Sequence, residues 1–246
     1  MTAPLDLTEV GSVGGFFALR TGAPPDGAHV TPLARLYAGD DGPLAFRVDK
    51  VAARLGAPDA RVAVSVAQLG LAARLWSVAL GSAALHGELP DLDPGLLHWD
   101  ADGSSPDDLW LTDVRTRPGD AASIREAVQH GHLAPLADAL RTRYRISAPL
   151  LWGNAGSALA GAARELDTWA RRTGRTDVGE RARVLAAALF DHPDLRGTGT
   201  RRGTAFRRRS CCLYYRCPGG GLCGDCCFDR PPQRSVRASS PPGASG

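Results

Sequence analysis

The feature that most constrains this chain is the placement of its six cysteines: all lie between Cys211 and Cys227, and nothing before them carries a thiol. A disulfide stabilises more when it closes a longer loop, so a disulfide-built secreted fold spreads its cysteines along the chain. Six thiols packed into one short segment cannot clamp 246 residues, and they read as ligands. The body ahead of them must therefore fold around its own core. Hydrophobic residues are 43% of the chain and charged residues 22%. That balance excludes a disordered, collagen-like or coiled-coil protein, and the length suits one domain with a small appendage.

The body reads as mainly helical with a few strands. Gly15–Arg20 has the pattern of a short strand, closed by the Gly/Pro material from Thr21 to Gly27. Short helices are predicted over Thr31–Tyr37 and Leu44–Leu55, then a long one from Ala60 to Leu85. The apolar residues of that long helix recur too densely for a one-sided amphipath, which makes it central to the fold; His86-Gly87 and Pro90 stop it. Two strands follow at Leu96–Trp99 and Leu109–Val114. Asp120 is the N-cap of a helix to Gln129, broken by Gly131, and Pro135 opens the next, to Tyr144. Ser147 and Pro149 start a helix to Arg172 ended by Gly174, and a last helix spans Val178–Phe190. The predicted class is α+β, predominantly helical with a small β-sheet and a cysteine-rich C-terminal module. The predicted units are a body over residues 1–195, an Arg/Cys-rich segment over 196–230 and a disordered tail over 231–246.

Charge and targeting signals exclude more than they assign. The net charge is +3 and the basic residues are nearly all arginine, with Lys50 the one lysine; so small an excess does not argue for nucleic acid. The N-terminal stretch carries Asp6 and Glu9 without a basic region, unlike a secretory signal. Gln68 and Arg74 interrupt the apolar run from Arg61 to His86 before it reaches the roughly 18 uncharged residues of a membrane span. A cytoplasmic protein with no integral membrane segment is expected, in a compartment that keeps clustered thiols free for metal.

The cysteine segment contains C-C-x10-C-x2-C, formed by Cys211, Cys212, Cys223 and Cys226. The C-x-x-C end puts two sulfurs on one tight turn, where Gly224 leaves backbone N–H groups free to face them, and Gly219–Gly221 lets the chain fold back toward the same point. Four such thiolates suit a structural zinc or an iron–sulfur cluster. Adjacent side chains diverge, so the vicinal pair Cys211-Cys212 favours the spread attachment points of a two-iron cluster over one tetrahedral ion. By counting alone, Cys211, Cys217, Cys223 and Cys227 form a second set.

With its surroundings Arg-Arg-Ser-Cys-Cys-Leu-Tyr-Tyr, Pro-Gly-Gly-Gly and Cys-Gly-Asp-Cys, the segment resembles the C-terminal motif of FhuF-type ferric-siderophore reductases. Leu151-Trp152-Gly153-Asn154 and the stretch Gly70–Leu75 resemble the same family. The resemblance implies a [2Fe–2S] cluster on Cys211, Cys212, Cys223 and Cys226 that passes one electron to siderophore-bound Fe(III). It departs from the family pattern at Cys217, where an apolar residue is usual, and at Cys227. No G-x-G-x-x-G fingerprint lies between a strand and a helix, so electrons are expected from a separate donor: a ferredoxin, a flavoprotein or an NAD(P)H-dependent reductase.

Positive charge near an anionic cluster favours its reduced form. Seven arginines and no acid lie between Arg196 and Arg216. Arg207, Arg208, Arg209 and Arg216 are the candidates for tuning a cluster or docking an acidic donor or anionic chelate; a solvated basic loop is the plain alternative. Two other functions stand beside the reductase: a structural zinc module whose arginines hold nucleic acid or a partner, and a non-catalytic iron–sulfur sensor or accessory of siderophore metabolism. His130 and His132 around Gly131 are read as a solvated turn rather than a metal pair, His98 as a strand residue, and Gly153, Gly156 and Gly161 as sites of close helix packing.

Overall fold

The structure, a computed structural model, describes residues 5–25 and 30–232. The expected tail therefore falls, from residue 233 onward, outside the described residues.

The chain opens with α1 (Leu7–Gly11), whose first amides bond the Asp6 side chain. It then makes a 3-10 turn at Gly15–Phe17 and the two-residue strand β1 (Arg20–Thr21). The predicted strand over Gly15–Arg20 is thus mostly a turn. The carbonyls of Gly15 and Phe16 accept from the buried Arg74 guanidinium, so they are not available to a sheet. The predicted helix at Thr31–Tyr37 begins instead as β2 (Val30–Pro32), and only Leu33–Tyr37 is helical (α2). Next come α3 (Gly42–Leu55) and the long α4 (Ala60–His86), capped by Asp59 and ended by Gly87 at a left-handed φ of 73°. Strands β3 (Glu88–Pro90), β4 (Leu97–Asp100), β5 (Leu109–Leu111) and β6 (Thr116–Pro118) follow.

Asp120 caps α5 (Ala121–Ile124) through the Ser123 amide. Gly131 does not break the helix. The backbone widens into a π-helix over Arg125–Leu133 and continues as α6 (Ala134–Tyr144). The Glu126 carbonyl lies 3.3 Å from where a Gly131 Cβ would stand, so the absent side chain lets the wide turn close. The remaining helices are α7 (Ala148–Thr173), α8 (Thr176–Phe190) and the single turn α9 (Pro193–Arg196). The Gly/Thr/Arg-rich stretch before the cysteines forms the hairpin β7 (Gly199–Arg202) and β8 (Ala205–Arg208).

Helix α4 is the axis: every residue from Arg74 to Leu85 is buried, and α7 packs along it with α3 and α8 alongside. Arg74 keeps its charge inside this core through Asp108 at 2.8 Å. The larger sheet has the order β1-β5-β4-β2, with β1 parallel to β5 and the other pairs antiparallel. Strands β3 and β6 make a separate antiparallel pair. The β7–β8 hairpin lies on α7 and delivers the cysteine segment to that helix's surface.

Candidate metal centre

Two helix residues receive the segment. At Gly153 any Cβ would overlap the Ser210 hydroxyl, which itself donates to the Pro149 carbonyl at 2.8 Å. At Gly156 a Cβ would crowd Thr198 and Phe206. These glycines therefore admit the hairpin and the cysteine segment, not another helix; Gly161 meets only the end of Arg164, at 3.9 Å. Asn154, fully buried, links three elements. Its Nδ2 donates to the Ser65 carbonyl (2.9 Å) and to Gln68 Oε1 (3.0 Å) on α4, and its Oδ1 accepts from Arg208 on β8.

The far end of the segment is held by Asp225. Its carboxylate is 7% exposed and accepts from the Ser157 hydroxyl and from Arg164 Nη1 at 3.0 Å, both on α7. Its backbone carbonyl takes the Arg208 amide at 3.0 Å. Asp225 is thus an anchor, not a device of the turn alone. Sequence spacing suggested neither Ser157 nor Arg164; the one available signal was the run of small residues on α7 that leaves room for the loop.

Between these anchors the thiols converge. The thiols act on one another in pairs: Cys211 with Cys212, Cys212 with Cys223, and Cys211 with Cys227. Two of the four cysteines of C-C-x10-C-x2-C are met by the amide two residues ahead, Leu213 N to Cys211 Sγ (3.2 Å) and Phe228 N to Cys226 Sγ (3.4 Å), while the Tyr214 and Asp225 amides pull the pKa values of Cys212 and Cys223 downward. Leu213 takes a left-handed φ of 67° to turn the chain there. Gly219 is left-handed too, and a Cβ on Gly220 would run into the Tyr214 carbonyl. Gly224 does less than its place in C-x-x-C suggested: nothing lies within 4 Å of its Cβ position. Cys217 is buried at 2% exposure, with its carbonyl accepting the Gly220 amide.

The thiols polarise one another. The hydrogen bond from Cys212 holds the Cys211 pKa below the ordinary thiol value, and the Leu213 amide acts in the same direction. That same bond raises Cys212; the bond to Cys212 together with burial raises Cys223; burial raises Cys227.

The arginines separate into different roles. Arg208 is buried, and its charge acts on Cys212 and Cys223. Its Nε is buried with no hydrogen-bond partner, an unmet donor that an anionic group at the thiols would suit. Arg207 is exposed and pairs with Asp229 and the Cys227 carbonyl, Arg216 pairs with Asp59, and Arg209 is exposed.

This donor set fits an iron–sulfur cluster: free thiols from one loop, amide donors to Cys211 and Cys226 of the kind that tune such clusters, and the unmet donor of the buried Arg208.

Fold and site together define a helical protein with a thiolate-bound redox centre on one flank. Residues 60–201 match the family described as ferric iron reductase FhuF-like transporter, and residues 208–228 match the FhuF 2Fe-2S C-terminal domain. The chain belongs to the FhuF family. No curated protein matches it. Its cofactor is accordingly a [2Fe–2S] cluster, and membership supports an iron–sulfur, ferric-reductase-like role. Although the family description contains the word transporter, α4, the one described helix apolar and long enough to cross a membrane, has 72% of its apolar window buried in this fold.

The histidines differ from their sequence reading. His132 is fully buried, with Nε2 2.6 Å from the Leu92 carbonyl and Nδ1 2.9 Å from the Tyr37 hydroxyl. His130 is exposed and faces Glu126. The two do not form a pair, and the segment is not a solvated turn.

Proposed function

We propose that this chain is a [2Fe–2S] oxidoreductase that reduces siderophore-bound Fe(III) to Fe(II) by one-electron transfer in the cytoplasm, with Cys211, Cys212, Cys223 and Cys226 as cluster ligands. What supports the ligand assignment is the match of residues 208–228 to the FhuF 2Fe-2S C-terminal domain, together with the Leu213 and Phe228 amides at Cys211 and Cys226. When bound, the cluster supplies one electron at a time.

The protein's own residues do the rest. The Leu213 and Phe228 amides and the buried Arg208 place positive charge at the thiolates, which favours the reduced state. Asp225, held by Ser157 and Arg164, fixes the loop on the rigid α7. Beside that loop, a groove of about 590 Å³ between α4 and α7 reaches from Asp225 past Gly70, Ala73 and Gly161 to Phe16. It has the room for a bulky chelate. Siderophores bind through hard oxygen donors, which hold Fe(III) far better than the softer Fe(II), so one electron loosens the complex without a general acid or nucleophile. The electron reaches this chain from a separate reductase, ferredoxin or flavoprotein.

The test is anaerobic: the protein is reduced with dithionite, freed of excess reductant and mixed with a ferric siderophore. Oxidised-cluster absorbance should return as one ferrous ion per chain appears on a ferrous-specific chelator. An intact, fully reduced cluster that no ferric siderophore reoxidises would sink the proposal.

A further inference from the structure

We propose that His130, His192 and Asp194 form a second, surface metal site for a first-row divalent cation of the zinc or ferrous type, separate from the cysteine centre. One candidate ligand atom from each residue lies within 4.8 Å of the other two, although the residues come from the π-helix and from the start of α9. Two imidazoles and a carboxylate suit ions of intermediate softness rather than Mg²⁺ or Ca²⁺.

The surroundings are those of a supported site. A metal-bound imidazole ordinarily gives its other N–H to a carboxylate or carbonyl, which fixes the ring. His130 Nδ1 is 3.0 Å from Glu126 Oε2, one helical turn back, so that Nε2 is the ring nitrogen available to a metal. The His130 and His192 rings stand edge to face with centroids 5.8 Å apart. His192 Nδ1 and Asp194 Oδ2 are 3.5 Å apart, held by a shared contact: Gln129 Nε2 lies 2.8 Å from the first and 2.7 Å from the second.

Gln129 points to the ligand. Its side chain is fully buried, and its Oε1 has no hydrogen-bond partner. The amide N–H group now meets two acceptors that a cation would meet instead. A cation entering there displaces that contact, and the freed amide can turn its unpartnered oxygen toward the ion. The π-helix makes the arrangement: it brings Gln129 inward and His130 to the surface within one widened turn, and such turns are frequent at functional sites. The inference does not depend on the reductase reading.

The experiment uses the cluster-loaded protein with Zn(II) as probe. Equilibrium dialysis against micromolar Zn(II) is compared between the parent chain, the double variant His130→Ala/Asp194→Ala and Glu126→Gln. The parent should take up one zinc per chain more than the double variant, with the same cluster absorbance and helical circular dichroism in both. Glu126→Gln should keep the site but weaken it about 10–100-fold, the usual effect of losing an orienting carboxylate. Excess Mg(II) should not compete. Equal zinc uptake by the parent and the double variant would overturn the site, because the uptake would then belong to the thiols or elsewhere.

Discussion

Replacing Asp225 tests whether the cysteine loop is fixed to α7 as the contacts indicate. In Asp225→Ala the Ser157 hydroxyl, itself 7% exposed, loses its acceptor. A buried polar group left unpaired costs about 1–3 kcal/mol. The ion pair with Arg164 adds less, up to about 1 kcal/mol, because that guanidinium is 36% exposed and water can replace its partner. The expected loss is therefore about 1–4 kcal/mol, or about 2–16 °C in Tm at about 2–4 °C per kcal/mol for a chain of this size. Asp225→Asn keeps an acceptor oxygen and should recover about half of this. The assay is a thermal melt of the anaerobic, cluster-loaded protein, together with the rate at which a chelator strips iron. Asp225→Ala should melt lower and lose iron faster. A variant that melts within about 2 °C of the parent and loses iron at the parent's rate would refute the reasoning, since the loop would be held by other contacts.

Other consequences follow from the same contacts. His132 sits as a neutral ring between the Leu92 carbonyl and the Tyr37 hydroxyl, and burial lowers its pKa from 6.5 to about 4. The unfolded chain therefore takes up a proton between these values that the folded chain refuses. This contribution to stability is complete above pH 6.5 and is lost as pH falls toward 4, about 3 kcal/mol in all at about 1.4 kcal/mol per pH unit. His132→Gln should flatten that part of a denaturation series across pH. Asp108→Ala leaves the Arg74 guanidinium, 1% exposed, without its counter-charge in the core, and a broken buried pair costs about 3–5 kcal/mol. A melt should show a drop on the order of 10 °C. Gly153→Ala puts a methyl group against the Ser210 hydroxyl, which must rotate away and give up its bond to the Pro149 carbonyl beside Cys211. It should cost about 1–3 kcal/mol as an overpacked contact and speed iron loss, whereas Gly161→Ala, which meets only the tip of Arg164, should do neither.

Helices whose ends carry their own chemistry were legible in the sequence. Asp120 caps where expected, and Gly87 and Gly174 stop helices in the left-handed conformation. The errors arose where tertiary contacts decide. Gly15–Phe17 reads as strand because its residues are apolar, yet its carbonyls serve Arg74, 58–59 residues away. Gly131 reads as a break because glycine is a poor helix former, yet here it lets a π-turn close. The hairpin before the cysteines lacks alternating hydrophobicity: only Phe206 and Arg208 of β8 are buried, and β7 has no buried residue. At the site, spacing pointed to the cysteines, but their supports were invisible because each is a long-range pairing. Asn154 meets Arg208, and Ser157 and Arg164 meet Asp225, between 54 and 68 residues apart. Likewise, proximity in sequence suggested His132 as the neighbour of His130, whereas the fold supplies His192.

The central claim is that four particular cysteines carry a [2Fe–2S] cluster. It is tested most directly by iron and acid-labile sulfide analysis, with an absorbance spectrum, on the anaerobically purified chain and its six single Cys→Ser variants. The account expects about two irons and two sulfides in the parent, retained in Cys217→Ser and Cys227→Ser. It expects them to be lost or sharply reduced in Cys211→Ser, Cys212→Ser, Cys223→Ser and Cys226→Ser. A colourless parent holding one zinc would contradict the cluster itself, and loss of the cluster in Cys217→Ser with its retention in Cys212→Ser would contradict the ligand set.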